Sequence, residues 1–427
     1  MKKVVKKIAL LLIVFGIGVG VTLYTNNKYK VYDEEEPKQI MKHVDTISMM
    51  IETEAKSGNY EMTTRSEWPT EGYVFNSELS KCENGGELSW DDTNKRVVMS
   101  GNVSDKCYVY FDIYVPPTVV SDVCNGGETL STCITTLSQN STSSYTNIYH
   151  HDSALANGAG DNSYRYAGAN PNNYVCFGIN TTPCPTDNLY RIIGVFGDQV
   201  KLIKYDYATS TLLGTDGDYK GTGTPNASYY KGSLTTINTY YWNKATSKNT
   251  WSESNLNKVN LNTNFINNIR SEWAAKIAET TWKVGGNTFA NIGTQPAKTA
   301  YQNEIVSPVT TNTTDGATEH SAKIGLMYVS DYMYAASQDK WTLVGNGSAT
   351  TDYRAATSVN WMYMGFGDWT ISRIADNSSS VFGMYSTGYV DYGYVGGNSG
   401  CRPSFSLLSS TTYVSGSGSA SDPMVIN

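Results

Sequence analysis

Residues 188–208 read NLYRIIGVFGDQVKLIKYDYA, and the reading of this stretch decides the fold. Two runs rich in β-branched and aromatic residues, LYRIIGVF and QVKLIKYDYA, are parted by Gly197-Asp198. Such a pair around a two-residue turn is a β-hairpin. Further strand-like segments follow it: TTWKVGG, KIGLMYVS, WTISRI, VFGMYS and RPSFSLL. One helix is expected in NTNFINNIRSEWAAKIAETTW, where Phe265, Ile269, Trp273 and Ile277 share a face. There is no internal repeat. Few helices threaded among many short strands predict an α+β domain over 147–427.

The bulk composition agrees. At 427 residues the chain has room for two or three domains. Only 17% of residues are charged, and 32 tyrosines accompany abundant Asn, Ser, Thr and Gly. That is a composition of strands and loops, not of helices. A net charge of −7 argues against a nucleic-acid partner, which would want a basic face.

Upstream, MKKVVKKIALLLIVFGIGVGVTLYTNNKYK sets four lysines before an uncharged run from Ile8 to Tyr24. As a helix that run is about 26 Å long, just enough for a bilayer core. Residues 1–25 are either a single-pass anchor with its basic end inside the cell or a cleaved signal ending near Gly18 or Gly20. Both put the rest of the chain outside the cytoplasm, on the cell membrane in the first case. Residues 26–58 read as a helical stalk, with Pro37 in its first turn, Ile40, Val44, Ile47 and Ile51 at helical spacing, and Gly58 ending it. Residues 59–117 alternate strands with turns and form a small β domain closed by Pro116-Pro117. Residues 118–146 form a polar linker.

Seven cysteines suit an oxidising location. Six fall as near neighbours: Cys82 with Cys107, Cys124 with Cys133, and Cys176 with Cys184. The tight pairs and His partners of a zinc site are missing. Local disulfides are expected, each worth about 2–3 kcal/mol in the chain-entropy account. Cys401 is left over, as a small buried residue beside the last strand or as a free thiol.

DNSYRYAGANPNNYVCFG, NKVNLNTNFINNI, KIGLMYVSDYMYAAS, WMYMGFGDWTISR and RPSFSLL, together with the opening hairpin and VSGSGSASDPMVI, occur in a characteristic order over about 145–427. In this the chain resembles an uncharacterised family of bacterial surface proteins. Residues 52–92 resemble the membrane-proximal module that often precedes that domain. The family's C-terminal part is similar to the C-type-lectin-like fold shared with formylglycine-generating enzymes. The resemblance implies a ligand-facing loop surface near the chain end, and no reaction. Those enzymes use a cysteine pair, and Cys401 stands alone here, so their chemistry is not carried over.

That implied surface falls on ADNSSSVFGMYSTGYVDYGYVGGNSG. Tyr supplies rigid amphipathic area there, and Gly, Ser and Asn supply adaptable polar groups. Tyr385, Tyr389, Asp391, Tyr392, Tyr394 and Asn398 are the candidate ligand residues, with Arg373 and Trp369 beside them. Alternation puts Tyr392 and Tyr394 on one face of an extended segment, apart from Tyr389. The competing reading is an edge hairpin whose tyrosines cover the core. Trp341, Trp361 and Trp369 read more readily as core anchors than as sugar platforms.

The chemistry of catalysis is thin. His150 and His151 sit beside Asp152, but the chain has no nucleophile elbow, and the phosphate-loop pattern is missing from VGGNSG and VSGSGSASD. No enzyme activity and no metal site are expected. Calcium is the one candidate cofactor, through Asn157, Asp161 and Asn162 or through Asp216 and Asp218, although neither stretch has a complete calcium loop. The expected function is membrane-anchored binding or adhesion toward a glycan or protein ligand. The alternative is a structural pilus- or envelope-associated component.

Overall fold

The computed structural model of the 427-residue chain describes residues 46–55, 57–101, 105–114, 120–139, 147–308 and 317–427. The chain divides into two compact units between residues 115 and 116. The fold is α+β with strands predominating.

The first unit contains β1 (Thr46–Glu52), β2 (Tyr60–Met62), β3 (Tyr73–Cys82), β4 (Glu87–Asp91), β5 (Arg96–Ser100) and β6 (Lys106–Ile113). Four of these form a sheet in the order β2-β1-β6-β3, and β4 pairs with β5. β1 runs parallel to β6, from Thr46 opposite Lys106 to Ile51 opposite Phe111. Met49, Val109 and Phe111 make the core, packed by Ile51, Trp68, Phe75 and Trp90. The disulfide Cys82–Cys107 ties β3 to β6 at a paired position.

This sheet corrects the helical stalk expected over 26–58. In the described part of that segment Thr46–Glu52 is a strand, because β6 offers it a hydrogen-bonding partner from Thr46 to Ile51. Spacing that suits a helix face also suits TISMMIE as a strand, and long-range pairing decides between them. Residues 26–45 and the anchor or signal over 1–25 lie outside the described residues. Among the described residues no helix is long and apolar enough to cross a membrane.

The second unit opens on a short helical turn, Val120–Val123, followed by a helix, Leu130–Gln139. Its strands are β7 (Ile148–His150), β8 (Tyr164–Tyr166), β9 (Tyr174–Cys176), β10 (Leu189–Phe196), β11 (Gln199–Lys204), β12 (Tyr219–Gly223), β13 (Ile237–Tyr241), β14 (Thr280–Lys283) and β15 (Glu319–Ala322). They continue with β16 (Asp368–Arg373), β17 (Ser380–Met384), β18 (Val390–Tyr394), β19 (Asn398–Ser399), β20 (Ser404–Ser406), β21 (Tyr413–Ser415) and β22 (Val425–Ile426). The main sheet has the order β20-β11-β10-β8-β7, with β9 also on β10. The expected hairpin is there: Phe196 faces Gln199 across Gly197-Asp198. At Gly194 the hairpin bulges and meets β8 so closely that a Cβ would lie 2.3 Å from the Tyr164 carbonyl. Only glycine fits that crossing.

Cys124–Cys133 and Cys176–Cys184 are joined as expected, and Cys401 is free and buried. The polar linker expected over 118–146 is corrected in its described part. Leu130, Cys133, Ile134 and Leu137 of the Leu130–Gln139 helix are fully buried in the main core. The expected long helix around Phe265 is also broken. Helical turns run from Leu256 to Asn268, Ile269 is extended, and a short helix resumes at Ser271. KIGLMYVS is extended only in part, because Val329–Tyr334 is helical.

Ile134→Ala separates a core helix from a linker. We expect a loss of about 2–5 kcal/mol in the unfolding free energy of the second unit, whereas a linker substitution would leave chemical denaturation unchanged.

Candidate functional site

Strands β16, β17 and β18 form an antiparallel sheet in which Gly383 lies between Trp369 and Asp391, and Val381 faces Gly393. Beside it, β19 pairs with β13, which pairs with β12. A groove of about 480 Å³ opens where the two sheets meet. This falls within the range of about 300–1,000 Å³ common for ligand sites.

Trp369 is the fixed point of the groove. Its side chain is buried, and Nε1 donates to the Tyr240 carbonyl of β13 at 2.8 Å, so the indole pins one sheet to the other. Glycines let the neighbouring backbone lie on the ring: a Cβ on Gly393 would stand 2.9 Å from it. The ring is therefore a wall more than an open platform. Tyr385 and Tyr394 flank the groove at 40% and 49% exposure. Tyr385 is stiffened from behind, since its ring stacks on Tyr389 at 4.9 Å. The Arg354 guanidinium lies over Tyr389, 4.8 Å from the ring centre, and is itself held by Asp352.

Of the residues expected from the sequence, Tyr385, Tyr394, Asn398 and Trp369 line this groove. The others are not brought there. Tyr389 supports Tyr385, and Tyr392 shares the exposed face of Tyr394 but turns its ring to Phe289. Asp391 accepts the N–H of Tyr392, and Arg373 is buried at the end of β16. Met384, Ser386 and Ser399 of the expected stretch also line it, whereas Thr224, Asn226 and Phe366 were not expected. Only the β12–β13–β19 pairing brings Thr224 and Asn226 to this hairpin, so no local signal marks them. Among the described residues that line the groove, none is charged.

Behind it, Arg402 Nε donates to Asp368 Oδ2 at 2.6 Å, with both residues buried, and its NH2 group donates to the Met362 carbonyl. Burial raises the Asp368 carboxyl, Arg402 opposes it, and the balance stands at about 6. Burial likewise holds the Cys401 thiol well above its ordinary value.

The other candidate chemistry is dispersed. His151 is buried between Tyr334 and Trp341, its Nδ1 accepts the Ala159 N–H, and burial and then Arg165 push it down to about 2. His150 instead stacks on Tyr164, 3.7 Å from Asp152. Asp161 is occupied by Arg165 and Ser163, which outweigh burial and hold it at about 2. Asp218 accepts the N–H groups of Lys244 and Leu256, and Asp216 accepts from Asn264. Asn157 and Asn162 turn the chain with positive φ. Each calcium candidate thus already serves the fold through donors or turns.

The Asp368 pair makes stability depend on pH with a definite sign. A carboxyl raised from its ordinary value to about 6 takes up a proton in the folded chain before the unfolded chain does. Its contribution therefore falls as pH rises from about 4 to about 6 and is level above that. The expected outcome is that unfolding free energies of parent and Asp368→Asn, measured across that window, diverge progressively in the variant's favour. A constant difference would refute the assignment.

No family model, no curated protein and no solved structure matches this chain.

Proposed function

We propose that the chain is an extracellular binding protein, held at the cell membrane by its N-terminal apolar segment, that recognises an uncharged glycan through the groove between β16–β18 and β19. One observation carries this reading: a concave wall bracketed by two half-exposed tyrosines, with Thr, Asn and Ser groups and no charge. Uncharged sugars offer apolar ring faces for aromatic side chains and hydroxyls for amides and hydroxyls. An acidic ligand would find no cation here to offset its desolvation. The resemblance to C-type-lectin-like surface proteins is a further support. The fixed, packed wall means little rearrangement on binding, which lowers the entropy cost of recognition.

Purified full-length protein on an array of uncharged and acidic glycans tests the proposal. We expect capture by uncharged glycans, with Tyr385→Ala and Tyr394→Ala each losing about 1–3 kcal/mol of binding while melting with the parent. Capture by acidic glycans alone, or undiminished binding by both variants, would overturn it. Concentration-dependent self-association with no glycan capture would favour the structural envelope component instead.

A further inference from the structure

A second cavity, of about 240 Å³, lies in the same unit and shares no lining residue with the groove. Its walls come from β8, β10–β11, β14, the Val329–Tyr334 helix and β20. Lys201 of β11 and Asp331 of the helix meet at 2.6 Å, both buried. Arg165 of β8 is buried beside them, 2.7 Å from Asp161 and 3.7 Å from Asp331. Trp282, Tyr328 and Phe196 surround the lysine ammonium at 4.6–5.7 Å. The indole of Trp282 can take this place because Gly325 carries no side chain; a Cβ there would lie 2.7 Å from the ring.

The hydrogen-bond balance of this cavity is one-sided. Its carboxylates are well supplied: Asp161 receives Arg165 and Ser163, and Asp331 Oδ2 receives Lys201 and the Tyr328 N–H. The donors are in surplus. An ammonium has three N–H groups, and Lys201 gives one to Asp331. The buried hydroxyl of Thr280, also on the cavity wall, has no hydrogen-bond partner. Buried donors of this kind call for an acceptor. Burial also lowers the lysine's affinity for its proton, which a bound anion would restore.

We propose that this cavity is a binding site for a small monocarboxylate with an apolar body, the carboxylate taking the spare donors of Lys201 and Thr280 and the body lying against Trp282 and Tyr328. The volume is below the usual range of about 300–1,000 Å³ and so limits the ligand to roughly the size of a single aromatic ring with its acid group.

Benzoate is the probe, with benzamide as its neutral counterpart and benzylamine as its cationic one. Full-length protein is titrated with each, followed by tryptophan fluorescence and calorimetry. Benzoate is expected to bind saturably, at one per chain, and to raise the melting temperature, with benzamide and benzylamine at least about tenfold weaker. Thr280→Val keeps the shape and removes only an unpartnered hydroxyl, so it should melt no lower than the parent and weaken benzoate about tenfold. Lys201→Met should abolish binding; should it fail to fold once Asp331 loses its ammonium partner, Thr280→Val decides. Absence of saturable benzoate binding, equal binding of benzamide, or undiminished affinity in Thr280→Val overturns the site.

Discussion

The ion pair between Arg402 and Asp368 is the constraint on which the second unit's functional face depends. Arg402 sits two residues before β20, which joins the main sheet through β11, and Asp368 begins β16. One buried contact therefore sets the height of the groove's sheet against the central one. Two charges removed from water are repaid only by close geometry and full hydrogen bonding, and the loss of one partner strands the other. The Asp368 Oδ1 atom has no hydrogen-bond partner, which is part of why burial outweighs Arg402 there. Trp369 follows directly, so the placement of the wall is inherited from the pair.

Around it, tryptophans do what long helices do in other folds. Trp242 donates to Thr370, Trp282 to Ala322, Trp341 to Ala336 and Trp361 to Tyr166, each to a backbone carbonyl within the interior. Each indole fills a large volume and also satisfies one carbonyl that a short, irregular strand would leave unpaired. A chain of many short strands and loops can thus hold a closely packed core and still keep its loops in fixed positions. Asn249 does the same from a loop, its amide reaching the carbonyls of Ile374, Asn377 and Ser380.

Features governed by nearby residues were legible in the sequence. The Gly197-Asp198 hairpin, the three short-range disulfides and the shared face of Tyr392 and Tyr394 all follow from spacing or alternation. Features governed by distant partners were not. TISMMIE fits a helix face or a strand, and only β6, lying more than fifty residues away, settles it. The Leu130–Gln139 helix was obscured by its serines and threonines, which sit outward while four residues fill the core. Most of the groove came from residues 367–399, and the remainder from Thr224, Asn226 and Phe366, which only the assembled sheets bring near. Lys201 carried a signal that went unread: a lysine set between Val200 and Leu202, in a strand buried on both sides.

The parallel pairing of β1 and β6 bears on how the first unit would respond to tension. These are its first and last described strands, so the chain enters at one end of the sheet and leaves at the other. A pull on those two ends would load the rungs from Thr46–Lys106 to Ile51–Phe111 together, in shear, where an antiparallel pair would open one rung at a time. The Cys82–Cys107 bond would further bar β3 from peeling away. A small domain built in this way is suited to act as a mechanical fuse of high threshold, passing force along the chain without coming undone.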